Sequence, residues 1–154
     1  MRSNQIAISI VMPAYNEENR LSTTLDEFTQ WVNNNLDLNI ELIIVNDGST
    51  DKTEAVVQSY INKYNWIRLI KETHVGMMNA IFIGINNANY DLIGTFEADS
   101  PVLPKYFKSF LPYLDNNDII IGSRFLGKEV IGKSLMRRII SKMNSLLFTF
   151  LFTC

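Results

Sequence analysis

The 154-residue sequence is poor in the side chains that most often perform acid-base and covalent chemistry. It contains one histidine, His74, and one cysteine, Cys154, which is the last residue. A single cysteine excludes a disulfide within the chain and is typical of a reducing compartment. Ser-His-Asp and Cys-His catalysis therefore find little support. We expect His74 to be a partly exposed loop residue.

Sequence signals for common nucleotide sites and for export are also weak. No GxGxxG motif follows an apolar run, which argues against a dinucleotide fingerprint. Residues 122–129, GSRFLGKE, have the spacing of a P-loop, but Glu129 stands where a Ser or Thr should contact Mg²⁺. The first apolar run, Ile6–Met12, is short and leads directly into Pro13, so secretion is not expected.

The charge is unevenly distributed, although the chain as a whole carries only −2. After residue 123 there are six basic residues and one acidic residue, so this end carries +5 and the first 123 residues carry −7. An acidic body with a basic end indicates an anionic partner for that end, either a membrane or a phosphate. No nucleic-acid partner is expected.

Apolar runs alternate with helical periodicity along the chain. The length suits one domain with a real core. The sequence predicts five strands, at Ile6–Met12, Glu41–Val45, Ile67–Lys71, Leu92–Phe96 and Asp118–Gly122. It predicts helices over residues 21–36, 56–64 and 77–88, with Ser49 or Thr50 capping the second, and a short helix from Pro104 to Leu114. This order predicts an α/β fold with a doubly wound, mostly parallel sheet and helices on both faces.

Polar clusters follow three of the predicted strands. They are PAYNEE at residues 13–18, NDGSTD at 46–51 and EAD at 97–99. Parallel sheets bind ligands at the carboxyl ends of their strands, so these carboxylates are expected at one edge. Crowded carboxylates need a cation, and a hard divalent metal could join them to a diphosphate. Each cluster alone is also compatible with ordinary turn chemistry.

The basic end has the pattern of an amphipathic helix. Apolar residues recur at helical spacing over residues 134–152, beside Arg137, Arg138 and Lys142. Only twelve residues follow Lys142, too few for a bilayer span of about 20 residues. The segment could lie on an anionic membrane surface or pack on the core with its charges solvated.

Four segments in order carry a resemblance to a known family. VMPAYNEENRL (11–21), IIVNDGSTDKT (43–53), EAD (97–99) and IIIGSRF (119–125) resemble family 2 glycosyltransferases of the GT-A, Rossmann-like fold. The similarity is greatest to polyprenyl-phosphate sugar transferases, the dolichyl-phosphate mannose and glucose synthases. It implies a nucleotide-sugar-binding core over residues 1–125 and the start of an acceptor- and membrane-side region over 126–154.

The resemblance also implies roles for individual residues. The donor-binding residues would be Pro13, Ala14, Tyr15, Glu17, Asp47, Glu97 and Asp99, with Asp47 reading the base or ribose. Glu97 and Asp99 would hold Mg²⁺ or Mn²⁺, with Glu97 replacing the first Asp of the family's DxD motif. Asp99 and Arg124 would act in catalysis. The acceptor phosphate would meet Arg124, Arg137 and Ser141.

The implied activity is inverting transfer of a hexose from a UDP- or GDP-linked sugar to a polyprenyl (dolichyl) phosphate. The protein would lie peripherally at the cytosolic face of a membrane, held through its C-terminal helix. The family's domain normally continues beyond position 154, so the chain is expected to be truncated. Two alternatives stay open: transfer to a sugar hydroxyl in polysaccharide synthesis, and a non-catalytic nucleotide-binding remnant.

Overall fold

The chain forms alternating strands and helices over most of its length. The computed structural model describes residues 6–35, 37–99 and 104–122. The strands are β1 Ile6–Ala14, β2 Leu38–Asp47, β3 Ile67–Glu72 and β4 Leu92–Thr95; the helices are α1 Leu21–Asn33, α2 Thr53–Ile61 and α3 Met77–Asn86. Two 3₁₀ helices follow, Pro104–Ser109 and Leu111–Asn116. The first four predicted strands and the first three predicted helices are thereby confirmed.

The four strands form one sheet in the order β3-β2-β1-β4, and every pairing is parallel. The register aligns Ala14 with Asn46 and Val11 with Thr95. The carboxyl ends of β1, β2 and β4 therefore lie at the same edge. The predicted doubly wound parallel sheet is confirmed.

Both faces of the sheet are covered, which explains the continuous apolar runs in β1 and β2. Alternate β1 residues, such as Ile10 and Met12, share a core with Leu25 and Phe28 of α1. Val11 points to the opposite face, where it packs in a smaller core that includes Ala80 of α3. The larger core is bound by a chain of aromatic ring contacts around Phe28.

A buried polar network lies on the α3 face of the sheet and holds the turn after α3. Glu41 of β2 is buried, and its carboxylate accepts hydrogen bonds from Ser9 Oγ at 2.6 Å and Arg68 Nη1 at 2.8 Å. The backbone N–H of Asn89 donates to it at 2.5 Å, and Asn89 Nδ2 at 2.7 Å. Tyr90 N donates to Ser9 Oγ. These bonds fix the entry into β4.

Two local expectations near the ends of elements are wrong. Ser49 and Thr50 do not cap α2, which begins at Thr53, because both are used by the loop after β1. Residues 118–122, expected as a fifth strand, form no strand; Ile119 and Ile121 are largely exposed. A strand needs a hydrogen-bonded neighbour, and no described residue pairs with this segment.

Backbone contacts divide the chain into two units, residues 1–109 and 110–154. The sheet and its helices belong to the first unit. Within the second, the helix Leu111–Asn116 begins after Phe110, and Pro112 stands in its first turn. The predicted domain boundary between residues 125 and 126 lies outside the described residues. No helix in the described part of the chain is both long enough and apolar enough to span a membrane.

Candidate functional site

The loops after β1 and β2 are joined by hydrogen bonds at the carboxyl edge of the sheet. Asn16 N donates to Ser49 Oγ at 3.0 Å, and Thr50 N donates to Asn16 Oδ1 at 2.9 Å. Asn16 has φ +54°, a left-handed conformation that asparagine tolerates better than most residues. The clusters PAYNEE and NDGSTD thus form a single edge structure.

Two of the acidic residues at this edge build the start of α2. Glu18 Oε2 accepts from Lys52 N at 2.9 Å, and Asp51 Oδ2 accepts from Glu18 N at 3.1 Å. Burial raises the pKa of Asp51, but hydrogen bonds from the Thr53 hydroxyl and N–H, and from Glu18 N, hold that pKa below its ordinary value. These carboxylates are satisfied by donors at a helix N-terminus, where negative charge is favourable.

Arg20 is a positively charged side chain that pairs with two of the carboxylates at this edge. Its guanidinium pairs with Glu17 through two bonds, Nε to Oε2 at 2.7 Å and Nη2 to Oε1 at 2.8 Å. Its third nitrogen, Nη1, lies 3.4 Å from Asp99 Oδ2. The carboxylates of the first and fourth strand ends are therefore bridged by a side chain. Sequence reasoning missed Arg20, although it stands inside the quoted motif VMPAYNEENRL.

The segment after β4 is fastened to α1 and β1. Thr24 Oγ1 donates to Ala98 O at 2.7 Å, and Phe96 N donates to Val11 O at 2.9 Å. Phe96 and Ala98 are buried, whereas Glu97 and Asp99 are exposed. Both acids of EAD thus face solvent, as the resemblance requires of a ligand-binding pair.

Asp47, at the end of β2, is turned into the protein. It is only 2% exposed; its Oδ1 accepts from Val75 N at 2.6 Å and its Oδ2 from Gly76 N at 3.0 Å. Gly48 beside it has φ +71°, and a Cβ there would lie 2.6 Å from His74 N. Asp47 thus holds the turn before α3, and its expected contact with a base or ribose stays a prediction.

Tyr15 and His74 form an aromatic pair above that turn. Their ring centroids are 4.3 Å apart at an interplanar angle of 30°, and Tyr15 is 45% exposed. His74 Nδ1 lies 3.1 Å from Asp47 Oδ2 and 3.2 Å from Asp47 O. His74 is a partly exposed loop residue, as expected, but its contacts with two candidate donor-binding residues could not be read from the sequence.

The described carboxylates do not gather into a compact metal cage. Among residues 6–35, 37–99 and 104–122, no group of three or more His, Cys, Asp or Glu side chains lies close enough to hold an ion. Glu97 and Asp99 offer hard oxygen donors of the kind Mg²⁺ and Mn²⁺ prefer. Pro13 and Ala14 lie in β1; Arg124, Arg137 and Ser141 lie outside the described residues.

A family assignment follows from comparison of the sequence with known proteins. The model of glycosyl transferase family 2 matches residues 9–152. The chain belongs to glycosyl transferase family 2. A dolichyl-phosphate beta-glucosyltransferase, ALG5A, of Trichomonas vaginalis is 36% identical over 131 residues, which are 77% of this chain and 40% of the relative. A dolichol-phosphate mannosyltransferase of Pyrococcus furiosus is 31% identical over 139 residues, 88% of this chain and 38% of the relative.

Solved structures of other glycosyltransferases share the fold. Glucosyl-3-phosphoglycerate synthase from Mycobacterium tuberculosis, in complex with Mn²⁺, UDP and phosphoglyceric acid, aligns with a TM-score of 0.57 and 21% identity, covering 73% of this chain and 40% of that one. The mannosyltransferase PcManGT from Pyrobaculum calidifontis, with GDP-Man and Mn²⁺, aligns at 0.54 and 21%, covering 62% and 28%. The family 2 chain described here therefore has a GT-A fold and spans less than half of the curated relatives it matches.

Proposed function

We propose that this chain is the nucleotide-sugar-binding part of an inverting glycosyltransferase that moves a hexose to a polyprenyl phosphate. The observation that carries the proposal is the placement of Asp99. Its carboxylate is 46% exposed at the carboxyl edge of a parallel sheet, beside the loop that follows β1. Ligands of such sheets bind at this edge. The relatives named for dolichyl-phosphate sugar transfer supply the acceptor class.

The donor's nucleoside would bind beside Tyr15. The exposed ring of Tyr15 is already oriented by stacking on His74, so it offers a fixed aromatic face to a base. Pro13 and Ala14 would lie beneath the nucleoside, and Asp47 would contribute through the turn that it holds at Val75 and Gly76. Both UDP- and GDP-linked sugars are candidate donors.

Glu97 and Asp99 would hold a divalent cation, Mg²⁺ or Mn²⁺. Two exposed carboxylates suit an ion that keeps several waters and takes its other ligands from a diphosphate. Bound there, the cation supplies charge stabilisation for the departing nucleoside diphosphate. Arg124, which follows residue 122 closely in the sequence, would bind the same phosphates with its guanidinium fork.

The acceptor's own charge removes the need for a general base. A phosphate monoester oxygen is anionic near pH 7, so it can attack the anomeric carbon directly. The bond from that carbon to the acceptor oxygen forms as its bond to the diphosphate oxygen breaks, which inverts the anomeric configuration. The protein's tasks are positioning and charge stabilisation. Arg137 and Ser141 would hold the acceptor phosphate.

The basic segment 126–154 would place this reaction at a membrane. Its apolar and basic residues suit a helix lying on an anionic lipid surface, which would keep the protein peripheral at the cytosolic face. The polyprenyl chain would then stay in the lipid while its phosphate, held by Arg137 and Ser141, meets the anomeric carbon of the donor.

The proposal is tested with the 154-residue chain, vesicles containing polyprenyl phosphate, and UDP-glucose or GDP-mannose with Mn²⁺ or Mg²⁺. We expect a lipid-linked hexose, and loss of metal-dependent donor binding in Asp99→Ala. Asp91→Ala is a matched control, since it removes an exposed aspartate that precedes β4 at the opposite edge. If the donor binds equally well with and without Mn²⁺ and no lipid-linked hexose forms, the result would favour a non-catalytic nucleotide-binding remnant. Product only with a sugar acceptor would favour polysaccharide synthesis.

A further inference from the structure

Within the proposed function, we propose that Arg20 is a built-in cation that occupies Asp99 and competes with the divalent metal for that carboxylate. Among the described residues, the positive group that contacts Asp99 is the guanidinium of Arg20, whose Nη1 lies 3.4 Å from Asp99 Oδ2. A cation that is part of the chain has a fixed and high local concentration. Arg20 therefore sets how much free metal is needed to load the site.

Arg20 is held in place independently of Asp99. The two bonds from its guanidinium to Glu17 form a fork-to-fork pair, the geometry that gives arginine-carboxylate pairs their directionality. Glu17 is itself fixed, because its N–H donates to Thr53 Oγ1 at 2.8 Å and its carbonyl accepts from Arg20 N and Leu21 N. The guanidinium can thus release Asp99 and stay attached to Glu17.

The backbone beside Asp99 is likewise held by a bond that does not involve the Arg20 side chain. Thr24 Oγ1 binds the carbonyl of the preceding residue, Ala98, at 2.7 Å. Arg20 directly precedes α1 and Thr24 lies one turn further along, so the start of this helix positions both Arg20 and the segment that carries Asp99. The fold therefore brings the backbones of Arg20 and Asp99 close together, and their exposed side chains meet there.

The ion pair between Arg20 and Asp99 is weak enough for a metal ion to displace it. It is a single long nitrogen-oxygen approach between side chains that are 59% and 46% exposed. Exposed ion pairs of this kind are weak and screened by salt. The Arg20–Glu17 ion pair is shorter than the Arg20–Asp99 pair and is joined by two hydrogen bonds. The Glu17 side chain is also less exposed than that of Asp99. A divalent ion on Asp99 would therefore displace Arg20 from Asp99 alone.

The test measures Mn²⁺ binding to the whole chain by electron paramagnetic resonance of the free ion, with and without UDP or GDP. Arg20→Gln should tighten Mn²⁺ binding by about 3- to 10-fold, the size expected from removing a weak exposed pair and a nearby positive charge. Lys63→Gln, which removes an equal but remote exposed charge, should change it by less than about 2-fold. In an Asp99→Asn background, Arg20→Gln should have no effect.

Arg20→Lys is a second variant that keeps the positive charge but loses the guanidinium fork. Its Mn²⁺ affinity should lie between those of the wild type and Arg20→Gln. Weaker Mn²⁺ binding in folded Arg20→Gln would overturn the inference and make Arg20 a support of the site. Mn²⁺-dependent UDP or GDP binding that Arg20→Gln leaves unchanged would overturn it while the proposed function stands. Absence of Mn²⁺ binding in both the wild type and Arg20→Gln would overturn both.

Discussion

Gly84 of α3 and Val11 of β1 touch so closely that no side chain fits between them. A Cβ on Gly84 would lie 2.2 Å from Val11 Cγ1 and 3.0 Å from Cγ2. Val11 is fully buried and β-branched, so it has no free rotamer into which to move. The absence of a side chain at Gly84 thus sets the distance between α3 and the sheet.

Gly84→Ala should consequently destabilise the protein, although alanine is the better helix former. Overpacking costs about 1–3 kcal/mol, and the gain in helix propensity returns about 1 kcal/mol. We expect a net loss of up to about 2 kcal/mol in the free energy of unfolding, measured with urea. Val11→Ala in the same chain should recover part of that loss, since it removes the atoms that clash. If the losses in free energy of unfolding of the two single variants simply add in the double variant, the result would contradict the contact between Gly84 and Val11.

Glu41→Gln should lower the free energy of unfolding by about 2–3 kcal/mol. The amide nitrogen of glutamine cannot accept the hydrogen bonds that Arg68 and Asn89 donate to the carboxylate of Glu41. Thermal unfolding measures the loss. Asp37→Asn is the matched control, since Asp37 is exposed and forms an exposed ion pair with Lys108. An equal loss in the two variants would contradict a special role for Glu41.

The same residue predicts a pH dependence. Burial raises the pKa of Glu41, but hydrogen bonds from Ser9, Asn89 and Arg68 outweigh it and hold that pKa below the ordinary value. The unfolded chain then takes up the proton first, so stability is present above about pH 4.3 and is lost as the pH falls further. Urea unfolding between pH 6 and pH 3 should show a shallower acid loss in Glu41→Gln.

Tyr60 predicts the opposite dependence at high pH. Its hydroxyl donates to Asp26 Oδ1 at 2.5 Å and lies 3.1 Å from Ser22 O, which joins α2 to α1. Burial, followed by the bond and negative charge of Asp26, raises the pKa of Tyr60 well above its ordinary value. Its contribution is complete below about pH 10 and is lost above it. Tyr60→Phe should lower the free energy of unfolding by about 1 kcal/mol at pH 7, measured with denaturant. The fall in stability above about pH 10 should be smaller in this variant than in the wild type.

Asp47→Ala should release the turn before α3. Val75 and Gly76 would each lose the acceptor of a short bond, and we expect a loss of about 2–4 kcal/mol because one carboxylate serves two donors. Amide hydrogen exchange at Val75 and Gly76 should accelerate, whereas exchange in β1 should follow only the global loss of stability. Asp91→Ala is the control; unchanged exchange at residues 75 and 76 in Asp47→Ala would contradict the assignment.

The acidic edge shows where reasoning from sequence stops. The three polar clusters were expected to bring their carboxylates together around a cation. Their loops do meet at one edge, because parallel strands share a direction. The side chains part there: Asp47 turns inward to two backbone N–H groups, Asp51 serves the start of α2, and Asp99 faces Arg20. Each direction depends on donors supplied by a distant segment.

Local patterns in the sequence by themselves determined the order of strands and helices and the parallel sheet, and four motifs carried the resemblance to the family. Apolar periodicity and turn residues act over a few positions, so they can be read without coordinates. Only the tertiary structure decided which charges meet. Arg20 and Asp99 are 79 positions apart, and their contact exists because Thr24 binds Ala98 and brings α1 to the end of β4. Ion pairs at such range carry no periodic signal, since they depend on how packed elements place their side chains.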